Sequence, residues 1–320
     1  MMPILFLLFL SVCAMIYVYR FRGCARFATV HEYLRKGWPI FAPLNVFLYM
    51  TSRRRARAPF TSVDDYPELK LLQDNWQVIA AEASQLMASG QFIQTTAQEN
   101  ASYYDVGFRT FYKYGWSKFY CTWYGETLHS AKALCPNTVA LLKSIPSVNG
   151  AMFTLLPPNA QLTRHLDPVA CSLRYHLGLD TPNDPDCFIS VDGKRAFWRN
   201  GHAFMFDETY LHYVKNDTRQ YRLILMCDID RPVNILGRPV NWLYKKFVRL
   251  LLVPNLPGDQ SGPFNRLFAR LMPTLNRAKR LKKTNPRLYY PLKWLVNLSL
   301  ISILLLVLTL VFRLLIAVVR

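Results

Sequence analysis

The sequence contains no Cys-x-x-Cys pair, and its seven cysteines (Cys13, Cys24, Cys121, Cys135, Cys171, Cys187, Cys227) are scattered and odd in number. This excludes a cysteine-held structural zinc and fits a reducing compartment rather than a disulfide framework. There is no internal repeat, low-complexity tract, Arg-Gly-Gly run or nucleic-acid fingerprint. Nucleic acid is therefore not expected as a partner, despite 39 Lys and Arg against 20 acids and a net charge of +19. Histidine is sparse as well, at six residues, of which four fall between 165 and 212.

The charge is unevenly spread. Residues 1–60 carry nine basic residues against one acid, residues 61–230 fourteen against eighteen, and residues 231–320 sixteen against one. An ordinary, slightly acidic globular domain thus lies between two basic arms. Each arm holds an uncharged run of nineteen residues, Met1 to Tyr19 and Trp294 to Phe312. At about 1.5 Å per residue either run can cross a hydrocarbon core about 30 Å thick. The first run lacks a basic n-region and an A-x-A-like site, and Arg20, Arg22 and Arg26 follow it, so an uncleaved anchor is expected rather than a signal peptide. Positive charge after the first span and before the last predicts that everything between faces the cytoplasm. The expected partner of the arms is an anionic bilayer surface, and no protein partner is predicted.

Three regions follow: an anchor with a basic interfacial segment over 1–60, a catalytic domain over 61–232, and basic amphipathic helices with a second span over 233–320. In the first, Trp38 to Met50 is apolar but broken by Pro39 and Pro43, too short to cross and suited to the interface. Apolar spacing predicts a helix from Pro67 to Ser89 and a shorter one from Pro136 to Ile145, while 103–124 is aromatic-rich strand or loop. From Ala151 the pattern changes to short β-rich runs at 151–156, 171–179, 187–191, 195–198, 203–206, 211–215 and 221–229. Asp192-Gly193 is a hairpin signal between two of them. Such a series indicates a small antiparallel barrel or sandwich of the jelly-roll or cupin kind.

His165-Leu166-Asp167 sits at the mouth of one strand, and residues two apart on a strand point to the same side. His212, in the run Tyr210-Leu-His-Tyr-Val, supplies a third candidate ligand. Two imidazoles and a carboxylate on one face leave positions open for a chelating co-substrate and O₂, as in non-heme Fe(II) oxygenases. A catalytic zinc hydrolase can use the same donors. Arg222, in the apolar strand Tyr221-Arg-Leu-Ile-Leu-Met-Cys, favours the first reading, since a buried guanidinium needs an anion and a dicarboxylate co-substrate provides one. The alternative is an internal pair with Asp207 or Glu208. Arg174 and His176, two apart in Cys171-Ser-Leu-Arg-Tyr-His-Leu-Gly-Leu, suggest a polar, lined barrel interior.

The stretch 150–232 resembles the aspartyl/asparaginyl β-hydroxylase family, and within it the bacterial lipid A 2-hydroxylases. The matching strings are His165-x-Asp-Pro, Leu173-Arg-Tyr-His-Leu-Gly-Leu, Phe206-Asp-Glu-Thr-Tyr-x-His212 and Arg222-Leu-Ile-Leu. The resemblance implies a mainly β catalytic core, a double-stranded β-helix with flanking helices, beside the N- and C-terminal membrane helices. It implies Fe(II) held by His165, Asp167 and His212, with 2-oxoglutarate and O₂ as co-substrates. In animal members the acid of the H-x-D triplet is missing, so Asp167 marks the fuller triad. Arg222 matches the residue holding the distal carboxylate of 2-oxoglutarate. Arg174 and His176 match further co-substrate contacts, and Thr154 stands where the peptide hydroxylases have serine. The implied reaction is 2-hydroxylation of a fatty acyl chain of a membrane lipid, a secondary acyl chain of lipid A first, at the bacterial inner membrane. The alternatives are ornithine lipid or another acyl lipid, then a protein Asp/Asn β-hydroxylase, then a non-catalytic membrane adaptor. His129 and His202 match no motif position and are expected to be structural or surface residues.

Overall fold

The computed structural model describes residues 2–92, 115–299 and 302. The chain opens with helix α1 (Met2–Ile16), which passes into a π turn over Tyr17–Phe21. Helices α2 (Val30–Lys36) and α3 (Ala42–Thr51) follow; Thr29 caps α2 by accepting from the Glu32 N–H. The helix expected from Pro67 to Ser89 is interrupted. A 3₁₀ turn at Pro67–Leu69 leads into α4 (Lys70–Asp74), and α5 (Trp76–Ala88) begins after a break at Asn75, where φ is −111° and ψ is 20°. Helices α6 (His129–Leu134) and α7 (Pro136–Lys143) come next. Pro136 starts α7 because its missing N–H costs nothing in a first turn. The buried Glu82 carboxylate accepts from the Asn137 N–H at 2.9 Å and the Thr138 N–H at 2.8 Å, satisfying two donors the helix leaves free.

Eleven strands form two antiparallel sheets among the described residues. They are β1 (Phe60–Thr61), β2 (Ser117–Trp123), β3 (Glu126–Thr127), β4 (Val148–Leu156), β5 (Ala160–His165), β6 (Ser172–Asp180), β7 (Cys187–Val191), β8 (Lys194–Phe197), β9 (Ala203–Phe206), β10 (His212–Asn216) and β11 (Arg222–Asp230). The larger sheet runs β1-β9-β6-β11-β4-β2-β3 and the smaller β5-β10-β7-β8. This mainly β core with flanking helices is the expected class. Asp192 and Gly193 have φ of 52° and 83°, the two positive values a two-residue hairpin turn needs, and Val191 pairs with Lys194 across it. Helices α8 (Arg238–Arg249) and α9 (Pro263–Thr284) follow the sheets.

The chain divides into two compact units, up to Arg266 and from Leu267 onward. The N-terminal segment has a core in common with the β domain. Ala14, Val18, Tyr33, Ala42, Leu48 and Tyr49 pack with Leu166, Val169, Ala170, Cys171 and Leu211. The expected interfacial segment 38–50 therefore buries one face of α3 and exposes another at Phe47 and Met50. Among the described residues no helix is long and apolar enough to cross a membrane. Helix α1 has 15 residues before its π turn, and residues 300, 301 and 303–312 of the second expected span lie outside the described residues. The segment 103–124 is described only from Gly115, with β2 beginning at Ser117.

A buried ion network ties the N-terminal segment to the β domain. Arg22 lies 2.6 Å from Asp207 and 3.3 Å from the centroid of the Tyr49 ring, and Arg231 reaches the other Asp207 oxygen at 2.8 Å. Burial raises the Asp207 pKa, but Arg231, Arg22 and the Thr209 hydrogen bonds outweigh it and leave the carboxyl below its ordinary value. A carboxylate with a depressed folded pKa contributes its full stabilisation above the unfolded pKa and loses it as pH falls through the folded one. Asp207→Asn is expected to cost about 3–5 kcal/mol, because two guanidiniums are left buried without an anion. Denaturant unfolding at neutral pH measures the loss. The gap between wild type and variant should shrink as the pH is taken below 3.8, the ordinary aspartate value.

Candidate metal centre and anion site

His165 ends β5 and His212 begins β10, and the two are direct cross-strand partners with ring centroids 4.2 Å apart. One extra residue on β5 between Leu162 and His165 shifts the register there, a bulge that re-aims the strand end beside the site. Each imidazole is oriented by its own backbone: His165 Nδ1 lies 2.7 Å from the Thr163 carbonyl and His212 Nδ1 2.9 Å from the Tyr210 carbonyl. A carbonyl only accepts, so Nδ1 carries the proton in both rings and Nε2 presents the lone pair. Burial, then the neighbouring His165, pushes His212 down to about 4, with Asp167 partly opposing, so the ring is neutral at pH 7.

Asp167 lies just past the end of β5, its N–H donating to the Glu208 carbonyl at 3.0 Å. Its Oδ2 accepts from Arg174 at 3.1 Å, and Oδ1 stands 3.5 Å from His165 Nε2. One donor atom from each of His165, Asp167 and His212 lies within 4.8 Å of the others, a spacing one metal ion can bridge. His129 and His202 are exposed and outside this cluster.

The structure places Arg174 behind Asp167. It pairs with Asp167, Glu208 and, through Nε at 3.1 Å, Asp228, whose other oxygen accepts from the Tyr124 hydroxyl. Three carboxylates share one guanidinium. Burial raises Glu208 well above its ordinary value, Arg174 only partly countering it, whereas at Asp167 burial is outweighed by Arg174, His212 and His165. The shared guanidinium thus leaves Asp167 the more acidic of the two carboxyls and Glu208 the less. Neither Glu208 nor Asp228 was singled out from sequence as a site residue. Asp228 follows Arg222 by six residues, an even spacing that puts both on one face of β11, and that was the available signal.

Arg222, His176 and Thr154 form the second part of the site. Arg222 is 2% exposed, donates to the Thr154 hydroxyl at 3.2 Å and stacks 4.7 Å from the Trp198 ring centroid. It has no ion-pair partner among the described residues, its Nε has no hydrogen-bond partner, and burial pushes its pKa down to about 10. The internal pairs considered from sequence do not form, since Asp207 binds Arg22 and Arg231 while Glu208 binds Arg174. His176 Nδ1 accepts from Trp198 Nε1 at 3.3 Å, so the proton sits on Nε2, which is buried without a partner. Burial, Arg222, Arg174 and His212 hold this ring neutral. The Phe206 ring lies 5.0 Å from His176 and 5.8 Å from His212, and Arg222 and His212 both act on the His176 ring, so the two orphaned donors adjoin the His–Asp–His cluster, a donor set that suits a carboxylate.

A family model, Aspartyl/Asparaginyl beta-hydroxylase, matches residues 73–232, half of the 320-residue chain. An ornithine lipid ester-linked acyl 2-hydroxylase of Rhizobium tropici is 35% identical over 128 residues, covering 40% of this chain and 46% of that protein. The human aspartyl/asparaginyl beta-hydroxylase is 28% identical over 173 residues, covering 52% of this chain and 22% of that one. The chain thus spans less than half the length of these relatives. A Pseudomonas putida prolyl-4-hydroxylase structure aligns at 19% identity with a TM-score of 0.32, covering 50% of this chain and 87% of that one, and carries no weight beside the strand order above. The chain belongs to the aspartyl/asparaginyl β-hydroxylase family.

Proposed function

We propose that this chain is a membrane-anchored, Fe(II)- and 2-oxoglutarate-dependent hydroxylase that 2-hydroxylates a fatty acyl chain of a membrane lipid. The observation that carries the reading is the unpaired, buried Arg222 guanidinium beside a His–Asp–His cluster. A zinc hydrolase accounts for the cluster but leaves Arg222 and the His176 N–H without a task. A dicarboxylate co-substrate accounts for both.

In this reading Nε2 of His165, Nε2 of His212 and the Asp167 carboxylate hold the iron, and Arg174 fixes the carboxylate's far oxygen. Bound iron with 2-oxoglutarate supplies oxidative decarboxylation coupled to insertion of one oxygen atom into a C–H bond. The chain's own residues bind and orient. Arg222 and Thr154 anchor the distal carboxylate, and His176 offers its Nε2–H. The aromatic wall of Trp198, Phe204 and Phe206 around His176 excludes water.

Support for a lipid substrate comes from the Rhizobium relative, named for an ornithine-lipid acyl group, and from the basic arms, net +15 over 231–320 (sixteen basic residues, one acid). Lipid A and ornithine lipid are the two substrates to separate, and the human relative supports a protein Asp/Asn substrate as the second reading. We propose the bacterial inner membrane as location, with the catalytic domain facing the cytoplasm.

Membranes holding the protein, supplied with Fe(II), ascorbate, 2-oxoglutarate and O₂, are expected to yield succinate and a gain of one oxygen on an acyl chain, read by mass spectrometry of extracted lipids. His165→Ala and Arg222→Met should abolish both products. Succinate without any lipid gain would transfer the proposal to a protein substrate, and no succinate under any condition would sink it. Arg174→Met is expected to lower iron content after gel filtration, because Asp167 loses its orienting partner; typical losses for such supporting partners are about 10–100-fold in metal affinity. Unchanged iron retention would remove that role.

A further inference from the structure

The candidate ligands adjoin the core built by the N-terminal helices. Leu166, between two ligands, and Leu211, before the third, are buried there with Tyr33 of α2, Ala14 of α1 and Val18 of the π turn. The Leu166 N–H donates to the Lys36 carbonyl at 3.3 Å, at the C-terminal end of α2. The chain around that contact turns apolar side chains outward. Leu34, Trp38 and Ile40 are 54%, 48% and 71% exposed. Trp38 holds a φ of 49°, a left-handed conformation costly for a bulky residue. The outward side chains of α1, Phe6 and Phe9 among them, are exposed as well.

The charge at this turn is one-sided. Arg35 and Arg164, the latter immediately before His165, are exposed and have no ion pair among the described residues. Glu32, the acid of α2, is taken by Lys36 at 2.9 Å and feels Arg164 only at longer range. Exposed apolar groups among unpaired cations match the acyl boundary and phosphate layer of an anionic bilayer.

We propose that the α2-to-Ile40 turn is a membrane-inserting rim of the site. Leu34, Trp38 and Ile40 enter the acyl region, Arg35 and Arg164 meet the phosphates, and an acyl lipid reaches the metal centre from within the bilayer. The proposal deepens the acyl-lipid reading and rests on it for its purpose, but its test needs no turnover.

The full chain is reconstituted into vesicles of phosphatidylcholine, or of an equal mixture of phosphatidylcholine and phosphatidylglycerol, with acyl chains brominated or not. The difference in emission between wild type and Trp38→Phe gives the Trp38 signal. It is expected to fall at least about twofold with brominated chains, and further with phosphatidylglycerol present. Ile40→Trp in the Trp38→Phe chain should report the same and guards against a local effect of the first substitution. In Arg35→Gln/Arg164→Gln the added quenching by phosphatidylglycerol should vanish. Equal emission with and without bromine overturns the rim and makes a protein partner the occupant of that face. Equal quenching in the two lipid compositions overturns the role given to the arginines. Quenching of Trp38 in a protein that hydroxylates no lipid would sink the substrate reading and leave the rim standing.

Discussion

A guanidinium withdrawn from water must find an anion or forfeit several kcal/mol, and four arginines are buried among the described residues. Three have their anions inside the protein. Arg22 and Arg231 share Asp207, and Arg174 holds Asp167, Glu208 and Asp228. Arg222 alone of the four has none among the described residues and makes do with a hydroxyl and the face of Trp198. A cation–π contact and a neutral hydrogen bond recover only part of the hydration lost. The polar face of the barrel is therefore organised around a missing negative charge, and a co-substrate carboxylate is the simplest species to bring it.

The same bookkeeping explains the other half of the site. Asp167, Glu208 and Asp228 share one positive side chain, and Asp167 alone of the three is held below its ordinary value, so its negative charge is left over where Arg222 is short of one. A divalent cation between the two histidines and Asp167 relieves the first imbalance, and an anion at Arg222 relieves the second. Cation and dicarboxylate complement one another because the chain supplies half of each pairing. The two histidines, each turned by a carbonyl two residues earlier, already present Nε2 for coordination.

Much of this was legible in the sequence. Short β-rich runs between turn residues marked the strands at 187–191 and 203–206 with the bounds the structure shows, and the i, i+2 spacing marked His165 with Asp167 and Arg174 with His176. The sequence could not reveal contacts that depend on tertiary closure. Arg22 and Asp207 are 185 residues apart, and nothing local announces that an N-terminal basic residue is buried against the segment preceding His212. Nor does spacing alone show that Arg174 faces Asp167, since a strand fixes which side a residue points to and not what the neighbouring strand places there. The N-terminal arm looked separate for the same reason: its apolar residues suit lipid and a protein core equally, and the structure gives part of them, Ala14, Val18, Leu48 and Tyr49, to a core.

The most direct test of the account is whether Arg222 and the metal cluster bind 2-oxoglutarate together. Calorimetric titration of 2-oxoglutarate into the full chain loaded with Mn(II), a redox-inert stand-in for Fe(II), should show one site per chain. The site should weaken strongly when the metal is omitted and by about 100-fold in Arg222→Met, in line with the roughly 2–5 kcal/mol lost when one partner of a buried charge pair is truncated. Binding that is absent, or that is indifferent to both the metal and Arg222, would contradict it.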